Sequence, residues 1–295
     1  MAHNPAAQTA YGPMVQAAIE QYEPPERRLV DDDLALSMLS TRQRAFVRAT
    51  QWTPLRRLMI AATERAVSGS WALITCRKRF IDDKLAEALP NIDAVVILGA
   101  GMDTRGIRLA HRSDVPVFEV DLPVSIDRKR AAVQRAVGGV PSSVRLLPLD
   151  FERDDLVDAL MDNCWSTDAR TFVIWEGVTQ YLTEDAVRAT LVAVEGMPAG
   201  SRLLFTYVRA DFIDGSNMYD AAVLYKRFRQ RRQVWKYGLN PDDVGAFVGQ
   251  YGWRVVEQAS PDYYVQNYIR PAGRNLPASD LEWSAYCTKV TPNPL

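Results

Sequence analysis

The chain has 295 residues, enough for one large α/β unit or two small ones. Hydrophobic residues make up 47% and charged residues 24%, which excludes a disordered or fibrous class. The formal net charge of -1 removes the simplest electrostatic case for a nucleic-acid partner.

The first residues, Met1-Ala-His-Asn-Pro-Ala-Ala-Gln8, carry no basic start and no long apolar run. No stretch approaches the roughly 20 apolar residues of a membrane span. The expectation is a cytoplasmic protein with no membrane partner. Residues 1–90 read as helical. Asp31-Asp-Asp33 forms an acidic first turn ahead of Leu34-Ala-Leu-Ser-Met-Leu39. Pro54 opens a helix that runs through Glu64, and Gly69-Ser70 closes it. Trp71 to Leu89 makes another, ended by Pro90.

Strands and helices then alternate. Ala94-Val-Val-Ile-Leu98 is a buried strand that runs into Gly99-Ala-Gly101, a turn whose backbone lies bare against a ligand. Thr104 to His111 is the following helix. Val117-Phe-Glu-Val-Asp121 is the second strand, ending on an acid. Val144 to Leu149 is the third, and its Pro148 marks a strand end or edge. Thr171 to Trp175 is the fourth, ending at Glu176. Thr183 caps a helix over 184–195. Ser201 to Val208 is the fifth strand. Asn240-Pro241-Asp-Asp243 predicts a helix start with proline at its first position. Trp253 to Glu257 and Glu282 to Val290 are the last strands. The pattern predicts an α/β fold: an open, mostly parallel sheet with helices on both faces.

In such a sheet ligands sit outside the carboxyl ends of the strands. Four successive strand ends carry a polar or backbone-exposing group: Gly99 and Gly101, then Asp121, Asp150 and Glu176. A glycine turn with an acid about twenty residues later suits a nucleoside whose ribose hydroxyls the acid holds. A dinucleotide site has a third glycine under its pyrophosphate. Here Thr104 stands in that place and Gly106 comes two residues late. Two glycines without the third suit S-adenosylmethionine (AdoMet), which has no pyrophosphate. Asp103 either caps the helix or sets a carboxylate beside the turn.

The histidines are His3, expected in a mobile tail, and His111, late in the helix after the glycine turn, where a histidine favours that helix's C-terminus. Cys76, Cys164 and Cys287 have no C-x-x-C spacing, so no metal site and no disulfide framework are expected. Residues 211–240 are too long for a simple connection and predict a helix of their own. Their basic run, Tyr225 to Lys236, either binds an anion or RNA or forms an amphipathic helix with Tyr225, Phe228, Val234 and Trp235 inward. The expected organisation is one domain over 1–295: a helical cap (1–90) and a core (91–295) carrying the 211–240 insertion as a lid.

The segments Leu98-Gly-Ala-Gly-Met-Asp-Thr-Arg105, Phe118-Glu-Val-Asp-Leu-Pro123, Asp150-Phe151 and Trp175-Glu-Gly-Val-Thr-Gln-Tyr-Leu182, with Arg77-Lys-Arg-Phe-Ile-Asp-Asp83 before the sheet, carry a resemblance. The chain resembles the leucine carboxyl methyltransferase-like family of class I AdoMet-dependent methyltransferases. It looks closest to the bacterial branch that includes tetracenomycin-type polyketide carboxyl O-methyltransferases. The resemblance runs from about residue 70 to the C-terminus. It implies a Rossmann-like fold with a seven-stranded sheet. Gly99, Ala100 and Gly101 would line the methionine part of AdoMet, Asp121 would hold the ribose, and Asp150 with Phe151 would hold adenine. Glu176 would face the ligand's ammonium, Arg77 would pair with its carboxylate, and Tyr181 would lie beside the substrate as the catalytic-side residue. Lys78 departs from the family's threonine, Phe151 from its leucine, and Met102 often reads leucine.

Methyl transfer needs an aligned nucleophile and a dry site. A carboxylic acid, with a pKa near 4, arrives ionised, whereas a phenol near 10 usually needs a base. Without a catalytic histidine the chain favours a small-molecule carboxylic acid as acceptor. Arg42, Arg44 and Arg48, or the basic run after Asp211, are its candidate anchors. Phenol methylation, an AdoMet-binding module without chemistry and an RNA-binding protein are the alternatives.

Overall fold

The computed structural model describes residues 11–151 and 153–290; His3 and the start of the chain lie outside them. Among the described residues five α-helices precede the sheet: α1 (Tyr11–Glu20), α2 (Ala35–Met38), α3 (Thr41–Ala49), α4 (Thr53–Ala66) and α5 (Ser70–Ala88). The helix expected over 34–39 shrinks to the single turn of α2. Pro54 falls in the first turn of α4, where its missing N–H costs nothing. Gly69, at φ +75°, turns the chain into α5; a Cβ there would stand 2.2 Å from the Ser279 nitrogen. Glu20, wholly buried, fastens α1 to α5 by accepting from the Trp71 indole at 2.6 Å.

The sheet has seven strands in the order β3-β2-β1-β4-β5-β7-β6. They are β1 (Ala94–Leu98), β2 (Val117–Asp121), β3 (Val144–Pro148), β4 (Thr171–Trp175), β5 (Arg202–Val208), β6 (Trp253–Ala259) and β7 (Glu282–Lys289). The pairs from β3 through β5 are parallel, while β7 runs antiparallel to both β5 and β6. Pro148 closes β3, which is an edge strand, so its missing donor leaves no ladder position empty. Strand order reverses between β1 and β4, which opens the crevice where ligands bind in such sheets.

Strand β1 explains the two-sided core. Its residues alternate faces, and all are buried. Val95 and Ile97 join the apolar cluster that includes residues of α1, α2 and α5. Ala94, Val96 and Leu98 join a second cluster on the other face. The helices after β1 to β4 are α6 (Arg105–Ala110), α7 (Pro123–Val137), α8 (Leu156–Met161) and α9 (Glu184–Ala193). Thr183 caps α9 by accepting from the Ala186 N–H.

Beyond β5 the chain departs from expectation. Residues 211–240 do not form one helix. They break into α10 (Ala210–Ile213), α11 (Ala222–Leu224) and a π-helical turn over Tyr225–Arg231. Tyr219, Asp220 and Gln233 hold positive φ at the breaks. The inward set is as expected: Phe228 and Trp235 are buried, with Tyr225 and Val234 packed against them. Helix α12 (Val244–Gly249) starts later than Asn240-Pro241 suggested. The Asn240 amide donates to the Asp243 carboxylate, so the side chains close a turn on themselves instead of capping a helix. Helix α13 (Pro261–Tyr264) follows β6.

Candidate functional site

The glycine turn is held open by its own backbone. Gly99 (φ +66°) and Gly101 (φ +46°) lie in the left-handed region. A Cβ on Gly99 would come 2.3 Å from a Val178 methyl. The N–H groups of Gly99 and Ala100 donate to the Val120 carbonyl at 2.8 and 3.0 Å. Asp121, at the end of β2, accepts from the Gly101 N–H at 2.7 Å and from the Leu122 N–H at 2.6 Å. Burial pushes the Asp121 carboxyl up, and those two N–H groups oppose the shift. Gly106 is the glycine that lets a helix pack on the sheet: a Cβ there would stand 2.4 Å from Glu119 Oε1. Glu119 itself, buried against Lys129 at 2.5 Å, does not face the crevice.

Beneath this turn lies a cluster of buried charge. The Arg77 guanidinium on α5 donates to Glu176 at 2.9 Å and to Glu282 at 2.7 Å. Arg105 reaches the other oxygen of Glu176 at 2.6 Å, Asp103 at 2.6 Å, and Asp82. Arg108 joins Asp82 at 2.9 Å and lies 3.7 Å from Asp32. Asp103 does accept from the Arg105 N–H, so it ties down the start of α6 while paired with the same arginine. Burial opposes ionisation of Glu176, but Lys78, Arg105 and Arg77 outweigh it and hold the carboxyl well below its usual range. One member stands apart. Lys78 is only 6% exposed, and among the described residues its ammonium makes no hydrogen bond and no ion pair.

Above the turn is a cavity of about 810 Å³, within the roughly 300–1,000 Å³ of small-molecule sites. Gly99, Gly101, Asp121, Asp150, Phe151, Arg77 and Tyr181 all line it. Ala100 and Glu176 do not. They line a smaller chamber of about 80 Å³ beside it, together with Lys78 and Asp103. The two spaces share Pro13, Arg77, Gly99 and Gly101. The far wall of the larger cavity comes from α1, α4, α5 and the 224–236 segment. Tyr181 meets the Trp235 ring edge-on at 6.4 Å. Gln180 is buried beside it, and its Oε1 and the Trp235 Nε1 have no partner among the described residues.

Among the arginines weighed as anchors, Arg42, Arg44 and Arg48 do not reach the cavity; Arg227 and Arg232 of the basic run do, both from exposed positions. Arg227 lies over the Phe228 ring and neither arginine makes an ion pair among the described residues. His111 sits exposed at the C-cap of α6, away from the cavity. The cysteines are free, with Cys76 and Cys287 buried.

Sequence reasoning missed Glu282 and Gln180 as site residues, and read Trp235 only as an inward-facing one. Glu282 had a usable signal. It is a strand-terminal acid like Asp121, Asp150 and Glu176, but it begins its strand. Because β7 is antiparallel, its first residue lies at the carboxyl end of the parallel strands. Gln180 had none, and the pattern that turned Trp235 inward did not say what it meets, since their meeting depends on the 211–240 path returning to the loop after β4. That return is fixed by the Lys236 N–H donating to the Gln180 carbonyl at 2.6 Å.

Comparison with known proteins agrees with this layout. The family model described as leucine carboxyl methyltransferase matches residues 10–195. A proposed S-adenosyl-L-methionine-dependent methyltransferase of Mycolicibacterium gilvum is 31% identical over 225 residues, 74% of each chain. One from Mycobacterium marinum is 32% identical over 231 residues, 74% of this chain and 72% of the other. Among solved structures, a proposed methyltransferase from Thermobifida fusca shares the fold with a TM-score of 0.55 at 15% identity, over 80% of this chain and 88% of that one. A DUF574-family protein from Streptomyces avermitilis does so at 0.53 and 16%, over 80% and 91%.

Proposed function

The chain belongs to the leucine carboxyl methyltransferase family, and from that premise we propose that it is an AdoMet-dependent O-methyltransferase that esterifies a small-molecule carboxylic acid. The observation that carries the reading is one cavity lined both by Gly99, Gly101, Asp121 and Asp150 and by Arg227 and Arg232. The first set suits a nucleoside cosubstrate. Positive-φ glycines leave no side chain in its way. Asp121 spends one lone pair per oxygen on Gly101 and Leu122, which leaves acceptor capacity for a ribose diol. Asp150 and Phe151, which line the same cavity, would hold adenine, and Ala100 and Glu176, which line the smaller chamber, would face the amino-acid end.

AdoMet, when bound, supplies a methyl group already activated on a sulfonium. The residues then have little chemistry left to perform. Arg227 and Arg232 would hold the acceptor carboxylate by charge-assisted hydrogen bonds. Tyr181, beside Trp235, would orient the acceptor. The apolar faces of Phe228, Trp235 and Leu281 would keep water out, with the helices before the sheet and the 211–240 segment serving as the lid. An ionised acid needs no proton removed, and among the described residues no histidine lines this cavity.

The test has two parts. Calorimetry with AdoMet and with NAD should show binding of the first alone. A screen of carboxylic acids and phenols with methyl-labelled AdoMet, read by product mass, should show methyl esters. Replacing Arg227 and Arg232 by Gln should raise the acceptor KM about tenfold or more while leaving AdoMet affinity unchanged. Labelled phenol ethers without esters would overturn the carboxylate assignment.

A further inference from the structure

Lys78 is a buried cation that the protein itself leaves without a counterion in contact. It sits on α5, one residue after Arg77, and is 6% exposed. No carboxylate comes within 4 Å of its ammonium among the described residues, although its charge is felt by Asp32, Asp103 and Glu176. Those acids are all engaged by other cations. Asp103 and Glu176 are paired with Arg105, Glu176 with Arg77 as well, and Asp32 lies beside Arg108. An ammonium on so buried a residue, with no hydrogen-bonded protein partner, is costly to keep. The space next to it is the chamber of about 80 Å³ walled by Gly99, Ala100, Gly101, Asp103 and Glu176.

Arg77, the neighbouring cation, is differently placed. Its Nε and one N–H of Nη1 are committed to Glu176 and Glu282, and Nη2 is the nitrogen without a partner among the described residues. Its first role is therefore to position two carboxylates. Resting on the AdoMet reading above, we propose that the Lys78 ammonium is the principal ion-pair partner of the cosubstrate's α-carboxylate, with Arg77 contributing at most its remaining nitrogen. The small chamber then receives the whole amino-acid end: the carboxylate toward Lys78, the ammonium toward Glu176.

The experiment compares two ligands that differ in this end. S-adenosylhomocysteine carries the α-carboxylate and methylthioadenosine lacks it; neither requires turnover. In Lys78→Met, calorimetry should show S-adenosylhomocysteine weakened about ten- to hundredfold, as for loss of a charge-assisted contact, with methylthioadenosine changed by less than about twofold. Lys78→Met also loses one of the charges that hold Glu176 ionised, so it should melt somewhat lower than wild type, and circular dichroism should show that it is folded. Lys78→Thr should show the same ligand discrimination. Unchanged S-adenosylhomocysteine affinity, or equal weakening of both ligands, in either folded variant would overturn the proposal. A wild-type protein that binds neither ligand would instead overturn the AdoMet reading itself.

Discussion

Arg77 and Glu176 stand 99 positions apart in the chain and meet at 2.9 Å, deep beneath the glycine turn. Arg105 grips the other oxygen of the same carboxylate at 2.6 Å. The strand-end acid at the close of β4 is thus immobilised by two helices, one before the sheet and one after β1. Its geometry is set before any ligand arrives.

One consequence concerns stability. Replacing Arg77 by Ala strips Glu282 of its cation and Glu176 of one of two. Removing one partner of a buried pair costs roughly 3–5 kcal/mol. Denaturant unfolding of ligand-free Arg77→Ala should show a loss of that order. A loss under about 1 kcal/mol, the scale of an exposed pair, would mean that the cluster contributes no more than surface charge does.

Acid should weaken the same cluster. Burial works against the Glu176 carboxylate, yet its cations hold its folded pKa well below the ordinary 4.5. A carboxyl depressed in this way contributes stability that is full above about pH 4.5 and is lost as pH falls further. Glu119 acts oppositely. Burial pushes its carboxyl up to about 7, so its contribution is full below pH 4.5 and fades as pH rises through 7. The difference between wild type and Glu176→Gln cancels Glu119. That difference, measured by denaturation midpoints from pH 3 to 7, should be constant above about pH 5 and should shrink below 4.5. A difference independent of pH would refute the depressed pKa.

Asp121→Asn should weaken AdoMet binding about ten- to hundredfold, the worth of a charged hydrogen bond of roughly 1.5–3 kcal/mol. Asparagine is chosen over alanine because the side chain also anchors the Gly101 N–H. It keeps one acceptor oxygen for that bond while removing the charge. Calorimetry on the folded variant decides the matter, and an unchanged dissociation constant would remove Asp121 from the ribose.

The acceptor's chemistry should show in a pH–rate profile. A carboxylate is ionised before it binds, so the single-turnover rate should lie on a plateau from about pH 6 to 9. A phenol would show a rate that climbs with deprotonation. A tenfold rise per pH unit between 6 and 8, with the fold intact, would favour the phenol.

The local order of the chain already determined most of the sheet. β-branched runs such as 94–98 and 171–175 have one strongly preferred state, and the structure places β1 and β4 on those residues. The strand-end groups Gly99, Gly101, Asp121 and Asp150 could be named because a parallel sheet sends every carboxyl end to one side. Only the tertiary structure decided what those groups touch. Glu282 came into the site because the last strand runs backwards. Arg227 and Arg232, rather than Arg42, Arg44 and Arg48, reach the cavity because the 211–240 segment folds back on Gln180. Lys78 was visible as a residue type and invisible as an unpaired charge. Whether a buried cation has a partner depends on side chains from α6 and β4, far along the chain, and no local preference encodes that distance.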